Sequence, residues 1–230
     1  MRYELLIFDW DGTLMDSAAR IVASMQAAFR ELGLPTPPAA AARDVIGLGL
    51  SHAVAQLAPD LDEPTRAEII VHYRAHYLEI DDTPTPLFPG AADVIGGLRE
   101  AGYLLAVATG KSRRGLDQAL AQTGLGPHFH ATRSADETFS KPHPQMLLEL
   151  LEELGVHARG ALMIGDTEYD LLTAKNAGVD ALAVCYGVHA AERLLALEPL
   201  GCLSAIDALP GWLADRARGI ATSDQTPTST

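Results

Sequence analysis

Leu5-Leu6-Ile7-Phe8-Asp9-Trp10-Asp11-Gly12-Thr13 is the stretch whose reading decides the fold. Its four consecutive apolar residues, Leu5 to Phe8, read as a strand buried on both faces of a parallel sheet. The abrupt change to acid, Gly and Thr marks the point where that strand leaves the sheet. In open α/β sheets, ligands bind just outside the carboxyl ends of the strands. Two carboxylates crowded there, Asp9 and Asp11, repel each other, and a divalent cation is the usual means of offsetting the repulsion.

Downstream, from residue 86, the sequence alternates in a βα rhythm. Ala91–Glu100 predicts a helix stopped by Ala101-Gly102, Tyr103–Ala108 a buried strand, and Ser112–Thr123 a helix closing on Gly124. After an ambiguous stretch, His128–Arg133, come a helix over Pro144–Leu154, a strand over Ala161–Ile164, a helix over Tyr169–Asn176 and a strand over Ala181–Val184. Further helical segments cover Ala190–Ala196 and Ile206–Arg216. Such alternation with short links implies an α/β fold, a Rossmann-like parallel sheet covered by helices on both faces. The segment 17–83 breaks the rhythm. Ile21, Val22, Met25, Ala28, Phe29 and Leu32, then Ile69, Ile70, Tyr73 and Tyr77, fall at helical spacing, with no convincing strand. We read it as an all-helical insert after the first strand. The α/β core then comprises 1–16 and 84–218, and the polar tail 219–230 is expected to be disordered.

Bulk properties narrow the function classes. The 230 residues carry a net charge of −13, which argues against a nucleic-acid or anionic-membrane surface. No apolar run reaches the ~18 residues needed to cross a membrane, and no signal peptide is evident. Cys185 and Cys202, the only cysteines, show no metal or redox spacing. A reducing, cytoplasmic location is the expectation.

Three further strand ends carry polar residues that could converge on Asp9 and Asp11. At Thr109-Gly110-Lys111-Ser112 a strand breaks into a loop opening a helix, and a hydroxyl with free backbone N–H groups there makes an anion site. A P-loop is excluded, because its first glycine would fall at Leu105. Ser140-Lys141-Pro142-His143-Pro144 holds one of only three lysines against fourteen arginines. A compact ammonium suits neutralising a carboxylate and a phosphoryl oxygen together. Gly165-Asp166-Thr167-Glu168-Tyr169-Asp170 repeats the first pattern, although either Asp alone could simply cap a helix. Hard oxygen ligands without a His or Cys cluster favour Mg²⁺. Mg²⁺, a lysine and backbone amides are what phosphoryl transfer requires. A carboxylate can attack phosphorus to give an aspartyl phosphate that is then hydrolysed, and a second carboxylate can move the protons of both steps.

Taken in order, Asp9-Trp10-Asp11-Gly12-Thr13-Leu14, Thr109, Lys141 and Gly165-Asp166-Thr167-x-x-Asp170 resemble the four motifs of the haloacid dehalogenase superfamily. The insert is similar to the helical cap domain of its phosphoglycolate phosphatase-like branch. The resemblance implies that Asp9 is the nucleophile and a Mg²⁺ ligand. It makes Asp11 the general acid/base, with its carbonyl on the metal. Thr109, the Gly110 amide and Lys141 would bind the phosphoryl group. Asp166 would ligate Mg²⁺, with Asp170 in support. The expected substrate is a small phosphorylated metabolite, phosphoglycolate first among them. Arg43 and His52, flanking Gly47-Leu48-Gly49, are candidates for meeting a second polar group of the substrate. A β-phosphoglucomutase-like transferase usually carries an arginine where this chain has Leu50, a pyrophosphatase remains an alternative, and the insert lacks the lysine of phosphonatases. More distant alternatives are a phospho-Asp signalling module and a non-catalytic Mg²⁺-binding module.

Overall fold

A computed structural model describes residues 2–219. Most of the tail expected to be disordered, from residue 220 onward, lies outside the described residues. Six strands form one sheet: β1 (Leu5–Phe8), β2 (Leu104–Ala108), β3 (Ala131–Arg133), β4 (Ala161–Gly165), β5 (Asp180–Val184) and β6 (Cys202–Leu203). All pairings are parallel, in the order β3-β2-β1-β4-β5-β6. Strand β1 is central, and Phe8 is level with both Val107 of β2 and Ile164 of β4. Residues leaving these three strands therefore emerge side by side, at the point where the strand order reverses. In such sheets this is where a ligand crevice opens.

Side chains of β1 alternate between two cores, as the two-residue period of a strand requires. Leu6 and Phe8 pack with Ile95 of α5 (Ala91–Glu100), Leu116 of α6 (Arg113–Thr123) and Trp212 of the C-terminal helix Leu209–Ala217. Leu5 and Ile7 pack on the other face with Leu147 and Leu150 of α7 (Gln145–Leu154). Helices thus cover both faces, which is why β1 is apolar at every position.

Between β1 and α5 lie α1 (Ala18–Glu31), α2 (Ala39–Asp44), α3 (Leu50–Leu57) and α4 (Glu63–Ala75), the last running into a π-helical turn over His76–Ile80. They bury a cluster of their own that includes Met25, Phe29, Val54 and Ile69. The chain segments entering and leaving this insert are tied together by Asp16 N–H to Pro86 O (2.8 Å) and Phe88 N–H to Leu14 O (2.9 Å). No described helix is long and apolar enough to cross a membrane.

The structure departs from the sequence reading at two short strands. The ambiguous stretch before Arg133 supplies β3, and β6 has only two residues, too few to leave a periodic signal. Pairing of β5 with β6 brings Cys185 and Cys202 side by side, with Cα atoms 6.0 Å apart. Their spacing in the sequence gave no hint of this.

Candidate active site

The loop after β1 turns sharply, with the N–H groups of Leu14 and Met15 both donating to Trp10 O at 3.0 Å. Gly12 sits at φ +86°, and a Cβ there would overlap the Asp166 carboxylate. Only glycine allows this approach of backbone to acid. The Thr13 hydroxyl donates to Asp166 Oδ1 at 2.7 Å, and Val188 N–H donates to its Oδ2 at 2.8 Å.

At the other side of the crevice, α8 (Glu168–Ala177) begins with a capping box. Asp170 Oδ2 accepts from Thr167 N–H (3.0 Å) and from the Thr167 hydroxyl (2.7 Å). Its Oδ1 accepts from Lys141 Nζ at 2.5 Å, and the same ammonium donates to Asp9 Oδ1 at 2.9 Å. Asp170 therefore both caps a helix and binds the site lysine, one oxygen for each task. Thr109, fully buried after β2, is held by its N–H to Arg133 O (3.0 Å).

Asp9, Asp166, Asp170 and Lys141 are all essentially inaccessible to water. Burial pushes the Asp9 carboxyl up to about 7 despite the pull of Lys141. The Asp166 carboxyl is held well above the usual range by burial and then by the charges of Asp9 and Asp170. Burial would by itself lower the Lys141 ammonium, but Asp170 and Asp9 outweigh it and keep the group protonated. Asp11 is nearby, and its Oδ1 accepts from the Ser17 hydroxyl (2.5 Å) and from Lys111 Nζ (2.8 Å). Lys111 also donates to the Tyr77 hydroxyl of the π-helical turn, at 2.7 Å. Four buried carboxylates thus face two ammonium groups, an excess of negative charge that a dry site cannot tolerate unaided.

A divalent cation fits this arrangement. One carboxylate oxygen from each of Asp9, Asp166 and Asp170 can be chosen so that all lie within 4.8 Å of one another. Asp9 Oδ2 is buried without any hydrogen-bond partner, as expected of an oxygen reserved for a metal. An all-oxygen donor set suits Mg²⁺.

A pocket of about 710 Å³, its open mouth included, separates this polar floor from the helical insert and is lined by Asp9, Asp11, Thr109, Gly110 and Lys111 below. Arg43 and His52 do not line it. The Arg43 guanidinium instead donates to Gly187 O at 2.8 Å, and His52 is exposed on α3. Other polar residues at the site are Thr13, Ser17, Tyr77, Lys111 and the loop after β5 that carries Gly187 and Val188. Lys111 had a usable signal, being one of three lysines and two residues from Thr109. For Ser17 and Tyr77 no local pattern marks the role.

A family model described as haloacid dehalogenase-like hydrolase matches residues 6–184. A protein of Dickeya dadantii named "Probable phosphatase IndB" is 38% identical over 199 residues, 85% of this chain and 86% of its own length. A phosphoglycolate phosphatase of Mesorhizobium japonicum is 32% identical over 223 residues, 94% of this chain and 97% of that protein. Among solved structures, a predicted phosphoglycolate phosphatase from Haemophilus somnus 129pt superposes with a TM-score of 0.83 at 23% identity, covering 93% of this chain and 99% of that one. The last likeness speaks for the fold alone.

Proposed function

We propose a reaction for this chain from the premise that it belongs to the haloacid dehalogenase-like hydrolase family. The chain is a phosphatase, in line with the names of its relatives, and its finer chemistry follows from the residues just described. It hydrolyses a small phosphorylated metabolite, with phosphoglycolate the reference compound because several relatives are named for it.

Asp9 is the nucleophile. Its carboxylate, oriented by Lys141 at 2.9 Å, forms a bond to phosphorus as the bond from phosphorus to the alcohol oxygen breaks. Asp11 hands a proton to that departing oxygen. In the second step Asp11 takes a proton from water, the water oxygen attacks phosphorus, and the bond to Asp9 breaks, which restores the carboxylate. Thr109 and the Gly110 amide hold the phosphoryl oxygens, with Lys141 opposite. Asp9, Asp166 and the Asp11 carbonyl would hold Mg²⁺, with Asp170 in support. When bound, the ion supplies charge neutralisation of the carboxylates and the phosphoryl group. The insert acts as a cap that excludes water from the pocket.

The single observation that carries this reading is the orphaned Asp9 Oδ2 beside Asp166 and Asp170, with Lys141 bridging Asp9 and Asp170. Phosphate release from p-nitrophenyl phosphate and phosphoglycolate, with and without Mg²⁺, tests it. Turnover should need the ion and should vanish in Asp9→Asn; undiminished turnover by that variant would remove Asp9 from the role.

A further inference from the structure

We propose that the alcohol released by this phosphatase has an apolar body, aryl or branched alkyl, and not a second anionic group. The inference rests on the phosphatase reading above and names the substrate class for the same site.

The pocket has two unlike halves. Its floor is the charged constellation already described, enough for a phosphoryl group. Its roof, contributed by the cap, is built from Ile21, Met25, Leu48, Leu50, Tyr73 and Tyr77. The rings of Tyr73 and Tyr77 stack with centroids 5.7 Å apart and planes 15° from parallel, giving a flat wall. A leaving group must lie between the floor and this roof.

A substrate carboxylate there would need a cation to replace its water. Lys111 is the cation inside the pocket, and it is already matched, to Asp11 at 2.8 Å and to the Tyr77 hydroxyl at 2.7 Å. Arg74 also borders the pocket, but its side chain is exposed at the rim, where water screens it. Arg43 and His52 lie elsewhere. Leu48 and Leu50 stand on either side of Gly49, in the cap loop that meets the core, and contribute no polar atom beyond their backbone. An apolar body of several carbons would gain from burial against these side chains.

The test compares four monoesters of alkyl-type alcohols, so that leaving-group reactivity is similar. Benzyl phosphate and 3-methylbutyl phosphate are assayed against phosphoglycolate and glycerol 3-phosphate, with the full chain and Mg²⁺. Expected is a kcat/KM at least about 10-fold higher for the two apolar esters, the scale on which apolar pockets discriminate. Phosphoglycolate turned over as well as or better than benzyl phosphate would overturn the inference while leaving the phosphatase reading intact. Release from none of the four, nor from p-nitrophenyl phosphate, would overturn both. Leu48→Arg, or the smaller change Leu48→Asn, should move the preference at least about 10-fold towards phosphoglycolate. That ratio is taken within one variant and so does not depend on the fraction folded. An unchanged ratio in both variants, with activity retained, would also count against the roof as the selector.

Discussion

Lys141 donates to Asp9 across 132 positions of sequence, Nζ to Oδ1 at 2.9 Å, with neither side chain reached by water. The same ammonium binds Asp170, so one cation holds together two acids from opposite sides of the crevice. Removing it would leave buried carboxylates uncompensated. Lys141→Met should therefore destabilise the metal-free protein by about 3–5 kcal/mol, the range seen when one partner of a buried pair is deleted. Urea unfolding with and without Mg²⁺ measures this. Mg²⁺ should recover part of the loss, since it supplies positive charge to the same acids; a loss under ~1 kcal/mol would show that the pair is not what offsets the crowding.

Mg²⁺ itself should raise the melting temperature. At a hundred times its dissociation constant, a ligand specific for the folded state adds about 2.7 kcal/mol. For a chain of this size that corresponds to a rise of roughly 5–10 °C. Asp166→Asn should abolish the response without a large cost to the metal-free fold, because the carboxyl it replaces is itself held above the usual range by burial and by the charges of Asp9 and Asp170. A full Mg²⁺ shift in that variant would place the ion elsewhere.

At Gly110 the backbones of the core and of the helical insert approach closely. A Cβ there would lie 2.6 Å from Leu48 O and 2.7 Å from Gly47 O, both of them backbone atoms with little room to yield. Gly110→Ala should push the Gly47–Leu48 backbone of the insert away from the proposed phosphoryl site. A displacement of about 1 Å can cost about 100-fold in rate, so kcat/KM should fall on that scale while circular dichroism stays unchanged. Activity within twofold of the parent would mean that the two loops separate freely.

Arg193 joins core to cap through Glu168 and Asp44, and it holds the Glu168 carboxyl below its usual range. All three side chains are partly exposed. Arg193→Ala should accordingly cost only about 0.5–1 kcal/mol. Hydrogen exchange is the more telling measurement. Amides of residues 43–49 should exchange faster while those of the central strands do not change. Uniform acceleration would indicate general destabilisation instead.

Much of this protein was legible along the chain because the relevant periods are short. Four apolar residues ending in acid marked β1, and the same pattern marked β4; Gly124 closed its helix where expected, at positive φ. Strand ends in a parallel sheet share one edge, so local patterns alone could nominate Asp9, Thr109 and Asp166 as neighbours. The two-residue β6 left no such trace, and neither did the approach of the two cysteines that it creates.

What the amino-acid order determined by itself is the α/β layout, the helical interruption after β1 and the chemical kind of the strand-end residues. Tertiary structure decided how those residues divide their bonds. It split Asp170 between a helix cap and Lys141, gave Asp11 to Lys111 and Ser17, turned Arg43 onto the Gly187 carbonyl and set an apolar roof over a charged floor. The reason is physical. Helix and strand periods act over a few residues, whereas a buried charge takes whichever partner the packed chain brings within 3 Å, and for Asp11 that partner lies 100 positions away.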